Sequence, residues 1–133
     1  MSVLDASVMI ALLDADDTHH ARATELIEAA IRADDTLACS VITRAEVLVG
    51  PTRRGDADRA RRLLNNLGVI TLAIPPDAAT RLAKWRAETG VKMPDCCVLL
   101  AQADHPHGSL MTFDDRLAKA AVHLGMSVAG VAP

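Results

Sequence analysis

Four carboxylates stand where the sequence predicts strands to end or helices to begin. Asp5 follows the apolar start of the chain, and Asp114 follows a short apolar run. Pro94-Asp95 is typical of a first helical turn, and Glu46 lies one to two turns inside a predicted helix. Because the carboxyl ends of parallel strands meet at one edge of a sheet, we expect these four acids to converge there.

Four converging carboxylates would repel one another, and some would stay protonated near neutral pH. A divalent cation relieves that repulsion. An all-oxygen set without organised His or Cys suits Mg²⁺ or Mn²⁺ better than zinc. Such sites bind phosphates and activate water for attack on a phosphodiester. The alternative for Asp5 is a purely structural role as the cap of the helix that follows it.

The elements that must position these acids alternate between strands and helices. This order predicts an α/β fold with a mainly parallel central sheet. After a first strand that leads to Asp5 and a helix that follows at once, strands are expected at 36–39, 69–74, 109–112 and 126–128, and helices at 19–33, 41–49, 53–66, 77–89, 93–103 and 114–124. Asp17 or Thr18 is the expected cap of the second helix. Ser40 is the expected N-cap of the third, and Gly50-Pro51 its expected end.

Length and composition favour one globular domain spanning residues 1–133, since half of the residues are hydrophobic. The apolar runs are far shorter than the ~20 residues of a membrane span, and the N-terminus lacks the pattern of a signal peptide. Three cysteines, two of them adjacent, predict buried thiols in a reducing compartment rather than disulfides. We therefore expect a cytoplasmic protein without a membrane partner.

One basic segment contrasts with the net charge of −3. Five of the fourteen basic residues fall within ten positions: Arg53, Arg54, Arg59, Arg61 and Arg62. They are candidates for guiding RNA phosphates to an otherwise acidic site. The alternative is a solvated helix face that Asp56 and Asp58 partly neutralise. With one Phe, one Trp and no Tyr, stacking of bases on an aromatic platform is not expected.

Other polar clusters are assigned to loops or to the surface. The acidic run Asp14, Asp16 and Asp17 could reach a metal, but loop and capping chemistry is the favoured interpretation. The two histidine pairs, His19-His20 and His105/His107, have no partners at metal-site spacing, so surface positions are favoured for them.

Taken together and in order, four short motifs resemble those of PIN-domain ribonucleases, specifically the VapC toxins of bacterial toxin–antitoxin pairs. The motifs are Val3-Leu4-Asp5-Ala6-Ser7, Arg44-Ala45-Glu46-Val47, Pro94-Asp95-Cys96-Cys97-Val98 and Leu110-Met111-Thr112-Phe113-Asp114. The resemblance covers essentially the whole chain. It implies a three-layer α/β/α PIN-like domain and an endoribonuclease that depends on Mg²⁺ or Mn²⁺. It also implies a VapB-like antitoxin as inhibitor, and a homodimer.

By position, four residues match the family's metal-binding and catalytic acids: Asp5, Glu46, Asp95 and Asp114. Glu46 is expected to be either a ligand or a proton acceptor. Ser7 and Thr112 match hydroxyl positions that support the site. Arg116 flanks the last acid and is a further candidate for contact with RNA phosphate.

Two features depart from the family pattern. Asp114 is followed by a second acid, Asp115; the two-residue spacing from Thr112 favours Asp114 as the site residue and leaves Asp115 as the expected helix cap. Cys96-Cys97, directly after the third acid, has no assigned role.

Two other functions fit parts of the pattern. A PIN fold that only docks to a partner would be expected to have lost an acid, and none is missing here. A phospho-receiver-like domain needs a lysine late in the chain at a strand end, but Lys119 lies inside a predicted helix.

Overall fold

The structure is a computed structural model that describes residues 1–131, so the last two residues of the predicted 1–133 domain lie outside it. Along this range one or two helices separate each strand from the next, in the order that the hydrophobic pattern predicts. They are β1 (Ser2–Val3), α1 (Ala6–Leu13), α2 (His20–Arg32), β2 (Leu37–Ser40), α3 (Val41–Arg53), α4 (Ala57–Asn66), β3 (Ile70–Leu72), α5 (Ala79–Thr89), α6 (Met93–Ala103), β4 (Leu110–Met111), α7 (Asp115–His123) and β5 (Val128–Ala129).

The described strands pair in parallel throughout. β1 pairs with β2, β2 with β3, and β4 with β5. A parallel bridge between Leu4 and Met111 joins the two groups, so the strands follow the spatial order β3-β2-β1-β4-β5. This arrangement confirms the predicted α/β fold with a mainly parallel sheet.

Side chains of the central strands alternate between two hydrophobic cores. Val3 packs into the core under α6 and α7, whereas the next residue, Leu4, packs into the core under α1 and α2. Leu110 and Met111 of β4 divide in the same way. Because successive strand residues point to opposite faces, this division places helices on both sides of the sheet and gives the three-layer α/β/α arrangement.

The predicted end of α3 at Gly50-Pro51 is wrong, because the helix continues to Arg53. Pro51 is buried within it, and a proline costs the helix only one backbone hydrogen bond plus local crowding. The helix ends instead in a Schellman motif at Gly55, whose φ is +72°. The Asp56 N–H donates to the Pro51 carbonyl at 2.8 Å, and the Gly55 N–H donates to the Thr52 carbonyl at 3.1 Å. The next helix therefore begins at 57 rather than 53.

Capping was predicted correctly for α3 and incorrectly for α2. The Ser40 Oγ accepts a hydrogen bond from the Ile42 N–H at 3.3 Å, as an N-cap should. The N-cap of α2 is His19 rather than Asp17 or Thr18. The Asp17 carboxylate instead accepts from the His19 N–H at 2.8 Å and closes the turn before the helix.

All three cysteines are buried and free, as predicted. Among residues 1–131, no helix combines the length and the apolar character that crossing a membrane requires.

Candidate active site

The topology brings the ends of β1 and β4 together. The Asp5 N–H, just past β1, donates to the Met111 carbonyl of β4 at 2.9 Å. Asp114, just past β4, therefore starts its helix at the same edge of the sheet as Asp5. α6, which carries Asp95 in its first turn, packs against β1, β2 and α3. Asp5, Asp95 and Asp114 thus stand at the starts of three different helices, and Glu46 comes from within α3.

A cavity of about 460 Å³, here called the acid cavity, opens at this edge. Its lining includes all four predicted acids, together with the predicted Ser7 and Arg116. Lys92 and Ile10 also line this cavity. The sequence did not single out either residue, although Lys92 stands only three positions before Asp95.

Asp5 is buried, with 6% of its surface exposed. Its Oδ2 accepts hydrogen bonds from the Thr112 Oγ at 2.8 Å and the Ser7 Oγ at 2.9 Å. Its side chain makes no capping bond to α1. The alternative of Asp5 as a simple helix cap is therefore wrong, because its carboxylate is held by hydroxyls at the cavity.

The same two hydroxyls join the ends of β1 and β4. The Ser7 Oγ accepts from the Phe113 N–H at 3.1 Å, and the Thr112 Oγ accepts from the Asp114 N–H at 3.0 Å. Each hydroxyl donates to Asp5 and accepts from the backbone around Asp114. The position of Asp5 is thereby fixed relative to that of Asp114.

Asp114 both lines the acid cavity and caps α7. Its Oδ1 accepts from the backbone N–H groups of Arg116 at 2.8 Å and Leu117 at 3.2 Å. The expectation that Asp115 caps this helix is wrong, since Asp115 is its exposed first residue. Both cap bonds use Oδ1, so the second carboxylate oxygen of Asp114 remains available to a ligand in the cavity.

The pKa of Asp95 is raised by its position among the other acids and by its burial. Partial burial, followed by the negative charges of Asp5, Asp114 and Glu46, raises the pKa of Asp95 to about 6, against the smaller lowering effect of Lys92. A raised carboxyl pKa is the expected signature of like charges sharing a site.

Glu46 lies at the rim of the cavity rather than inside it. Its neighbours in the sequence are mostly apolar, but Glu46 itself is exposed. α3 buries Thr43 and Val47 against the protein and turns Glu46 toward the opening. Partial burial of the carboxyl and the charge of Asp5 still raise the pKa of Glu46.

The chemistry of the donor set fits a hard divalent cation. Carboxylate and hydroxyl oxygens are the ligands that Mg²⁺ and Mn²⁺ prefer, and the raised pKa of Asp95 marks a carboxylate that gains from a nearby positive charge. Within residues 1–131, however, no three His, Cys, Asp or Glu side chains are gathered closely enough to hold a metal ion as they stand. Binding an ion here would require the mutually repelling carboxylates to close in.

The five clustered arginines are all exposed, but they do not share one surface. Arg54 and Arg59 line a second cavity of about 590 Å³, here called the arginine cavity. Arg53, Arg61 and Arg62 line neither cavity. Two of the arginines lie near aspartates: Arg59 Nη1 is 3.7 Å from Asp56, and Arg61 Nη2 is 2.9 Å from Asp58.

The remaining predicted surface groups lie away from the centre of the acid cavity. Asp14 lines the arginine cavity, and Asp16 is exposed. His19 is exposed and stacks on Phe113, with ring centroids 4.6 Å apart. This contact next to Thr112 and Asp114 was not predicted, because nothing in the sequence relates positions so far apart.

Comparison with known proteins places the whole arrangement in one family. The PIN domain family model matches residues 2–123. No curated protein matches the sequence significantly.

Three solved structures share the fold over nearly the full chain. A toxin–antitoxin complex from Klebsiella pneumoniae is 25% identical, with 100% of this chain and 97% of that chain covered and a TM-score of 0.74. VapC20 from Mycobacterium tuberculosis, described as a sarcin–ricin loop cleaving toxin, is 18% identical, with both chains fully covered and a TM-score of 0.75. VapBC2 from Rickettsia felis, bound to a promoter DNA fragment, is 12% identical, with 96% of each chain covered and a TM-score of 0.69.

Proposed function

This chain belongs to the PIN domain family, and we propose that it is a VapC-type toxin, a metal-dependent endoribonuclease that hydrolyses RNA phosphodiester bonds. The observation that carries the proposal is the acid cavity, which four carboxylates from four elements line. There, burial together with the charges of the other three acids raises the pKa of Asp95 to about 6. Perturbed carboxyl groups that share a cleft are typical of catalytic sites.

The proposed roles follow from the position of each group. Asp5, Asp95 and Asp114 would hold one or two ions of Mg²⁺ or Mn²⁺, with Glu46 as a fourth ligand or as the proton acceptor. When bound, a divalent ion supplies charge neutralisation at the phosphate and a lower pKa for an attacking water.

The chain's own groups complete the mechanism. Ser7 and Thr112 orient Asp5 through hydrogen bonds of 2.9 and 2.8 Å. Glu46, exposed at the rim with a raised pKa, is suited to accept the proton of an attacking water. Lys92 and Arg116, on the same wall, would bind the non-bridging oxygens of the phosphate.

The proposed partners follow from the same comparisons. Two of the similar structures are a toxin–antitoxin complex and VapBC2, which supports a VapB-like antitoxin as the inhibitor. We further propose a homodimer in the cytoplasm, where three buried free thiols remain reduced.

The second candidate is a PIN-fold binding module without catalysis. The observation that favours it is the absence, within residues 1–131, of three metal-ligating side chains already gathered around one point.

The two candidates are separated by incubating the purified protein with total cellular RNA in Mg²⁺, in Mn²⁺ and in a chelator. The nuclease proposal predicts discrete cuts that require metal, vanish in Asp5→Asn and persist in Asp115→Asn. Asp115→Asn is the matched control, because Asp115 is an exposed carboxylate on the same turn as Asp114. Absence of cleavage by a folded wild-type protein, with any antitoxin removed, would favour the binding module instead.

A further inference from the structure

The acid cavity and the arginine cavity adjoin. Ile10 and Glu46 line both of them. The two cavities, of about 460 and 590 Å³, therefore meet across the side chains of α1 and α3 that form this shared wall. Ile10 is an aliphatic residue with 44% of its surface exposed.

Each cavity has its own pair of basic residues. Lys92 and Arg116 line the acid cavity, and the Arg116 Nη2 donates to the Gly90 carbonyl at 3.0 Å. Arg54 and Arg59 line the arginine cavity. The four acids thus have two basic residues in their own cavity and two more in the adjoining cavity, beyond Glu46.

The Arg54 guanidinium packs against the backbone of α3 at Gly50. A Cβ atom at Gly50 would lie 3.2 Å from the Arg54 Nη1, so the guanidinium rests against the helix where no side chain intervenes. An alanine at position 50 would move the end of this flexible side chain by only a few tenths of an ångström. Gly50 has ordinary helical geometry, so its lack of a side chain matters here for space rather than for backbone freedom.

The carboxylates of the arginine cavity limit how strongly it attracts an anion. Asp56, 3.7 Å from Arg59, lines it, and so do Asp14 and Glu46. A phosphate entering this cavity would compete with Asp56 for Arg59, whereas Arg54 lies on the α3 side of the cavity.

We propose that a single RNA strand runs across the shared wall, with the scissile phosphate in the acid cavity and a flanking phosphate held by Arg54 and Arg59. The exposed Ile10 gives the intervening ribose or base an apolar contact. Of the five clustered arginines, Arg54 and Arg59 contact this strand, and Arg53, Arg61 and Arg62 do not. This assignment rests on the proposed ribonuclease function and names the path of its substrate.

The test measures binding rather than cleavage. A fluorescently labelled single-stranded RNA of about 12 nucleotides is titrated with the full-length protein in chelator at several salt concentrations. Each phosphate contact contributes about 0.7 to the slope of log affinity against log salt for a single strand, which corresponds to about fivefold in affinity at 0.1 M salt.

Arg54→Gln and Arg59→Gln should each reduce the slope by about 0.7 and the affinity by about fivefold, equally for RNAs of different sequence. Arg53→Gln and Arg62→Gln are the matched controls, with the same charge change at exposed positions outside both cavities. They should change the affinity by less than about twofold, because exposed charges away from the strand are screened.

Two further variants leave every arginine in place. Gly50→Ala moves the Arg54 guanidinium by only a few tenths of an ångström, so it should keep the RNA affinity close to that of wild type while preserving or raising the free energy of unfolding. Asp56→Asn should strengthen binding, because it frees Arg59 from its carboxylate.

Equal losses for all four arginine variants, or no loss for Arg54→Gln and Arg59→Gln, would overturn the assignment. Cleavage of cellular RNA is measured separately, so that failure of the proposed RNA path can be distinguished from failure of the proposed nuclease function. A wild-type protein that cleaves RNA with no selective role for Arg54 and Arg59 refutes the path alone. A protein that shows the selective binding pattern but no cleavage refutes the nuclease alone.

Discussion

Replacing Asp95 with asparagine should stabilise the metal-free protein at neutral pH. The pKa of Asp95 is about 6 in the folded protein, against 3.8 for an unperturbed carboxyl, because burial and three neighbouring acids oppose its ionisation. At 1.36 kcal/mol per pKa unit, this difference corresponds to about 3 kcal/mol. Asp95 is only half-buried, so solvent screening reduces the expected gain to about 1–2 kcal/mol.

The gain should depend on pH in a defined direction. Since the folded-state pKa is raised, the favourable contribution of protonated Asp95 is fully present below pH 3.8 and is lost as the pH rises through about 6. The difference in unfolding free energy between Asp95→Asn and wild type should therefore be near zero at pH 4 and reach its full size by pH 7.5.

The assay is urea unfolding in chelator at pH 4 and pH 7.5, with circular dichroism as the probe. Glu28→Gln is the matched control, since it removes one carboxylate from an exposed position on α2. Glu28→Gln should change the midpoint of urea unfolding little at either pH. If Asp95→Asn is no more stable than wild type at pH 7.5, or is equally stabilised at both pH values, then burial and the neighbouring acids do not raise the pKa of Asp95, and the reasoning is refuted.

Three other predictions concern a buried hydroxyl, a left-handed glycine and the binding of Mn²⁺. Thr112→Val removes a buried hydroxyl that bonds both Asp5 and the Asp114 N–H, so it should cost about 1–3 kcal/mol of unfolding free energy and lower RNA cleavage. Thr112→Ser, which keeps the hydroxyl, should retain most of the unfolding free energy and most of the RNA cleavage. A Thr112→Val variant with full stability and activity would contradict the role of the hydroxyl. Gly55→Ala should destabilise by about 1 kcal/mol, because φ at Gly55 is +72°; equal thermal midpoints for Gly55→Ala and Gly50→Ala would disprove the Schellman end of α3. Added Mn²⁺ at ten times its Kd should stabilise wild type by about 1.4 kcal/mol and Asp5→Asn hardly at all in thermal unfolding, and identical shifts would show that the ion binds elsewhere.

The order of elements and the edge at which the acids meet could be predicted from the sequence. Both follow from local signals: apolar runs that lead to Asp5 and Asp114, Ser40 at the start of α3, and Pro94 in the first turn of α6. The parallel sheet then brings the ends of β1 and β4 together. Element ends that are set by residues close together in the chain can be predicted from the sequence alone.

The errors arise where tertiary packing outweighs a local signal. Gly50-Pro51 is a strong local stop, but burial of Pro51 and the left-handed turn at Gly55 extend α3 by a turn. The exposure of Glu46 depends on how α3 is rotated against the sheet, which no local pattern specifies. The same rotation decides which arginines line a cavity, so their spacing in the sequence could not separate Arg54 from Arg53.

The central claim is that the four converging carboxylates make this chain a metal-dependent ribonuclease. It is tested most directly by the rate at which the purified protein cleaves a mapped RNA fragment as Mn²⁺ is titrated into metal-free enzyme. We expect the rate to rise and saturate with Mn²⁺ for wild type and Asp115→Asn, and to stay at background for Asp5→Asn with its fold intact. Cleavage by Asp5→Asn at the wild-type rate, or wild-type cleavage unaffected by chelator, would contradict it.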